Sequence, residues 1–172
     1  MQLFDDSFLE FSNRTDLPDF DFIALHGIWS WISDQNRRII VEFLHKKLKV
    51  GGVLYVSYNT LPGWAHFAPM RHLMTEHSER LGSRHRGIAN RIDEALRFSE
   101  RLLQTDPKFS RTNPSVTAHV SELKSQKENY LAHEYFNRDW LPMHFATAAD
   151  WFEDAKLQYA CSADYVNLTD NI

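Results

Sequence analysis

The stretch from Phe20 to Trp64, FDFIALHGIWSWISDQNRRIIVEFLHKKLKVGGVLYVSYNTLPGW, leaves this chain few folds to choose from. It opens with a compact apolar run, Phe20–Leu25, that stops at His26-Gly27. An amphipathic segment follows, then Gly51-Gly52, then a second apolar run, Val53–Tyr58. Strand, helix and strand in that order predict a βαβ unit, two parallel neighbouring strands joined by a right-handed crossover. The helix is expected over 34–49, capped by Ser33-Asp34. Ile39, Ile40, Phe43, Leu44 and Leu48 form one stripe, and Gly51-Gly52 ends it. Parallel sheets of this kind bind ligands beyond the carboxyl ends of their strands. That rule points to His26-Gly27 and to Ser57-Tyr58-Asn59 before any family is considered.

The flanks are read with the same signals. Asp6 or Ser7 caps a short helical turn ahead of the loop that contains Pro18. After Asn59 a turn, Thr60–Trp64, leads into three expected helices, 67–81, 88–105 and 115–134, with loops at 83–87 and 106–114. Three helices in a row without a strand signal predict an all-helical insertion. Thr147 is expected to cap a helix over 148–155, and 158–163 reads as a strand holding a buried Cys161. The expected organisation is therefore core at 1–62, helical insertion at 63–134, and return to the core at 135–172.

Composition excludes several function classes. A 43% hydrophobic fraction with 24% charged residues is that of a globular chain, and a net charge of −4 gives no signal for nucleic acid. No apolar run approaches the roughly 20 residues that span a bilayer, so no membrane partner is expected. One cysteine forms no internal disulfide, and a cytoplasmic location follows as the expectation. No metal site is expected, because His66, His72 and His77 are spaced six and five apart, and His133-Glu134 lacks a second histidine at helical spacing. The basic cluster Arg80, Arg84, His85, Arg86 and Arg91 reads as a solvated linker.

The residues Phe20-Asp21-Phe22-Ile23-Ala24-Leu25-His26 and Leu48-Lys49-Val50-Gly51-Gly52-Val53-Leu54-Tyr55-Val56 resemble the fourth and fifth strand region of class I S-adenosylmethionine-dependent methyltransferases, with Val50 where that family has proline. The ALHG-x-W-S-W-I and Y-V-S-Y-N-x-L-P-G-W texts, together with LAHEYFNRDWLPMHF and Ser162-Ala163-Asp164, resemble the subgroup that carries a methyltransferase regulatory domain. The resemblance implies an α/β fold, a partial Rossmann-like methyltransferase sheet with an all-helical insertion. It implies S-adenosylmethionine as cofactor and an unknown methyl acceptor. Residues Leu3–Phe8 would be the end of the third strand, where Asp5 or Asp6 with Ser7 reads the adenine edge. His26 and Gly27 would meet the methionine part, with Trp29 or Trp31 as a wall, and Tyr58, Asn59 and Trp64 would border the acceptor. No side chain is assigned a catalytic role. The family's glycine-rich turn and ribose-binding acid have no counterpart here, and no G-x-G occurs among the six glycines. The expectation is a fragment truncated at its N-terminus, with an oligomer or partner chain completing the sheet. The alternative is a non-catalytic regulatory or interaction module derived from a methyltransferase.

Overall fold

The computed structural model describes residues 2–82 and 87–164. Its elements in chain order are α1 (Phe8–Ser12), β1 (Phe20–Leu25), α2 (Asp34–Lys47), β2 (Leu48–Val56), α3 (Leu61–Trp64), α4 (Ala68–Glu76), α5 (Ile88–Gln104), α6 (Lys108–Thr112), α7 (Ser115–Leu123), α8 (Glu128–Glu134) and α9 (Phe145–Glu153). They fall into two compact units. One holds the residues up to Leu61 and those from Asp139 onward, and the other is Pro62–Arg138.

The first unit is built on the βαβ crossover. β1 and β2 pair in parallel, with Ile23 opposite Leu54 and Leu25 opposite Val56. Alternation sends Ile23, Leu25, Leu54 and Val56 to one face. There they pack with Ile40, Val41 and Leu44 of α2 and with Ala148 and Phe152 of α9. On the other face Phe22 and Val53 stay 58% and 57% exposed. The fold class is thus α/β, with a small parallel sheet and many helices.

Several boundaries move from their expected places. α2 ends at Lys47 and β2 begins at once with Leu48, so Gly51-Gly52 lies inside the strand and does not end the helix. The register jumps there, from Phe20 opposite Leu48 to Phe22 opposite Val53. This is a bulge that only glycine fits. Gly51 has φ of 81°, and a Cβ on Gly52 would lie 2.9 Å from the Lys49 carbonyl oxygen. Ser7, not Asp6, caps α1, with its hydroxyl accepting from the Glu10 N–H while Glu10 accepts from the Ser7 N–H at 2.8 Å. The expected third strand at Leu3–Phe8 does not form, because β1 and β2 are the only strands among the described residues and neither pairs with it. The expected strand at 158–163 is also unpaired, and its Cys161 is exposed, not buried. Thr147 caps nothing, since α9 already starts at Phe145 after His144.

The second unit is helical throughout its described residues. α4 runs into a π-helical turn, His77–Leu81. The expected loop at 106–114 contains α6, and the expected helix at 115–134 breaks into α7 and α8 around residues 124–127. Met70, Met74, Ile92, Leu96, Val116, Val120 and Leu131 make its core. Of the basic cluster, Arg80 pairs with Glu76 along one helical face, while Arg84, His85 and Arg86 lie outside the described residues.

His119 is a polar member of this core, stacked on Phe67 at 4.1 Å and hydrogen-bonded through Nε2 to the Tyr135 hydroxyl at 2.9 Å. Burial lowers the His119 pKa, against a smaller opposing pull from Glu122. A base whose folded pKa lies below its unfolded value takes up its proton more readily when unfolded. The second unit should therefore hold its full stability above pH ~6.5 and lose part of it as the pH falls further. Urea unfolding from pH 7.5 to pH 5 should show this limb, and His119→Gln should flatten it.

Candidate functional site

The carboxyl ends of β1 and β2 come together as the parallel crossover requires, and the loops beyond them are tied to one another. The Gly27 N–H donates to Ser57 Oγ at 2.8 Å, and the Ser57 N–H donates to the Leu25 carbonyl at 3.1 Å. Gly27 adopts φ of 66°, which places its N–H toward β2 without steric penalty. The His26 ring lies parallel to that of Tyr55, and its Nδ1 sits 3.3 Å from the Tyr55 hydroxyl and 3.5 Å from Ser57 Oγ.

The next layer is held by a buried serine. Ser30 Oγ accepts the Asn59 N–H at 2.7 Å, and the Ser30 carbonyl accepts the Leu141 N–H at 2.8 Å. The Asn59 carbonyl accepts the Met143 N–H at 3.1 Å, so residues 141–143 lie alongside the end of β2. Beneath them Trp29 is fully buried, its ring 4.7 Å from Phe152 and edge-on to Trp151 at 6.1 Å. Arg37, only 2% exposed, donates from Nε and Nη2 to the Trp29 carbonyl at 3.2 and 3.0 Å and from Nη1 to Asp34 at 2.7 Å. Two buried nitrogens of this edge, Trp29 Nε1 and Asn59 Nδ2, have no acceptor among the described residues. Asn59 Nδ2 is thus an uncommitted donor at the strand end, of the sort that water or a ligand satisfies.

The residues named from sequence separate into groups. His26, Gly27, Tyr58 and Asn59 share the strand ends. Tyr58 is half-buried against the first unit's core, and burial, then Tyr159, pushes its hydroxyl pKa up. Trp31 sits half-buried in the single 3-10 turn Trp29–Trp31 of the same loop. Asp5 is exposed, Asp6 pairs with Arg14 at 3.1 Å, and Ser7 is engaged in capping α1. No hydrogen bond or ring contact among the described residues joins Asp5–Ser7 to His26-Gly27. Trp64 belongs to the second unit, where its ring meets Phe67 at 6.3 Å and Tyr135 at 5.8 Å. Ser30, Tyr55 and Arg37 were missed. Tyr55 was findable from strand alternation beside His26, whereas nothing local marks a serine between two tryptophans as a hydrogen-bond hub. Among the described residues no group of three metal-ligating side chains occurs. No helix there is long and apolar enough to cross a membrane.

Arg37→Met should leave the buried Trp29 carbonyl without donors and destabilise the first unit by about 3 kcal/mol. Ser57→Ala should remove the Gly27 partner for about 1 kcal/mol. Chemical denaturation checks both, and the Arg37 variant should show the larger loss.

Comparison with known proteins shows what the chain is similar to. Residues 127–172 match the family model described as a predicted methyltransferase regulatory domain. An uncharacterized protein of Synechocystis sp. is 45% identical over all 172 residues, which make up 33% of that protein. An uncharacterized protein of Rickettsia prowazekii is 34% identical over 121 residues, covering 67% of this chain and 45% of that protein. The chain thus spans a third to under half the length of these curated relatives. Among solved structures, PKMT2 from Rickettsia typhi in complex with AdoHcy has the same fold, with a TM-score of 0.65 at 23% identity over 96% of this chain and 32% of that one. A second PKMT2 structure gives 0.60 over 90% and 31%. The chain therefore shares the fold of a methyltransferase-related protein, and its residues 127–172 match the predicted methyltransferase regulatory domain.

Proposed function

We propose that this chain forms the acceptor-side and regulatory part of an S-adenosylmethionine-dependent methyltransferase. The observation that carries the reading is the set of parallel strand ends, His26-Gly27 and Ser57-Tyr58-Asn59, bound together in a fold shared with a protein solved with AdoHcy. When bound, the cofactor supplies an activated methyl group on a sulfonium, and its transfer depends mainly on holding donor and acceptor in line. The site accordingly contributes shape and one donor: loops locked together by the Gly27–Ser57 bond, Trp29 buried beneath them, and the uncommitted Asn59 Nδ2.

Tested against this structure, the residues present do not hold the whole cofactor. Asp6 is taken by Arg14, Ser7 by Glu10 and the Gly27 amide by Ser57, and no glycine-rich turn is available to approach a ligand closely. We therefore assign these residues one wall of the pocket. Further polypeptide, from the same or a partner chain, adds the rest and covers the open sheet face at Phe22 and Val53. The second reading, a regulatory module without catalysis, draws on those same engaged groups.

A calorimetric titration with S-adenosylmethionine and its demethylated product should show no saturable binding to these 172 residues below about 1 mM. Substituted for the matching third of the Synechocystis relative, the same chain should support transfer of a labelled methyl group to protein. A folded chimera that binds the cofactor and transfers nothing contradicts the catalytic reading and leaves the regulatory one.

A further inference from the structure

The second unit carries a cluster that the strand-end site does not use. Tyr130 and Glu134 lie four residues apart on α8, so they share one helical face. Tyr135 follows directly, its ring edge-on to Tyr130 at 6.2 Å and tilted against Trp64 at 5.8 Å. Tyr130 is 45% exposed and Trp64 half-buried, so ring surface is open to a ligand, while Tyr135 anchors both to the core.

Beside these rings Glu134 is short of a counter-charge. Its side chain is only 21% exposed, and its one ion pair among the described residues, to His133 at 3.8 Å, exists only when that imidazole is protonated. Among the described residues no lysine or arginine nitrogen lies within salt-bridge distance of it. Burial accordingly raises the Glu134 pKa, opposed by His133. A partly desolvated carboxylate next to exposed ring faces is half of an interaction whose other half is a cation.

The chemistry narrows the cation. A metal ion needs several oxygen or nitrogen ligands, and this group offers one carboxylate. A primary ammonium is strongly hydrated and brings three N–H donors, most of which would find no acceptor among rings. A methylated ammonium spreads its charge over methyl groups that pack on aromatic faces, and it sheds water readily. We propose that Trp64, Tyr130 and Glu134, held from behind by the buried Tyr135, form a binding site for a methylated ammonium group, of the kind carried by a methylated lysine side chain.

The test is a calorimetric titration of this chain with three versions of one short peptide, carrying trimethyllysine, unmodified lysine, or the neutral tert-butyl isostere of trimethyllysine. No methyl donor is present, so the outcome is independent of the methyltransferase reading. The trimethyllysine peptide should bind about tenfold more tightly than its neutral isostere. Tyr130→Ala and Glu134→Gln should each weaken it by about threefold or more at unchanged circular dichroism. Equal affinity for the charged and neutral peptides overturns the proposal, as does failure of the trimethyllysine peptide to saturate below about 10 mM. Binding that both variants leave unchanged overturns it as well.

Discussion

Arg37 enters the first turn of α2 almost completely buried, with two of its nitrogens on the Trp29 carbonyl and the third on Asp34. Its charge has left water, so the arrangement holds only while each donor finds an acceptor. That condition fixes the loop after β1 against the start of α2. Trp29 then drops under the strand ends onto Phe152, and Ser30 is left facing Asn59 and Leu141. One side chain thereby links the crossover helix, the C-terminal helix and the carboxyl edge of the sheet. Arginine suits the position because its planar fork reaches one carbonyl twice and a carboxylate once, a geometry lysine cannot reproduce.

The sheet itself is small and half covered. One face has α2 and α9, whereas Phe22 and Val53 stand open on the other. Two strands are too few to be stable on pairing alone, so the first unit relies on side-chain burial beneath the sheet and on the polar ties at its edge. The ion pairs along the surface, such as Lys49 with Asp21 at 2.9 Å, add little, because both partners remain largely solvated. The helical unit is organised differently, around Met70, Met74, Ile92 and Val120, with the His119–Tyr135 hydrogen bond as its polar pin.

The crossover was legible because its signals are local. Phe20–Leu25 is apolar and short, Ser33 caps the helix as expected, and the stripe through Ile40 and Leu44 repeats at helical spacing. What misled was context. Gly51-Gly52 has the composition of a helix stop, yet the helix ends at Lys47 and the glycines serve a bulge, because register is a property of two strands. The apolar segment at 158–163 has strand composition and no neighbour to pair with. The site showed the same division. His26, Gly27, Tyr58 and Asn59 followed from the rule about strand ends, whereas Ser30 and Arg37 act on residues 29 and 8 positions away.

The strand ends form one preorganised edge and not a set of independent loops. Amide hydrogen exchange of Gly27, Asn59, Leu141 and Met143 tests this directly, since each N–H is committed to a different acceptor atom across the edge. All four should be protected and open together, at rates tracking the amides of α2. Exchange of any of them at free-peptide rates, while α2 stays protected, would contradict a single edge.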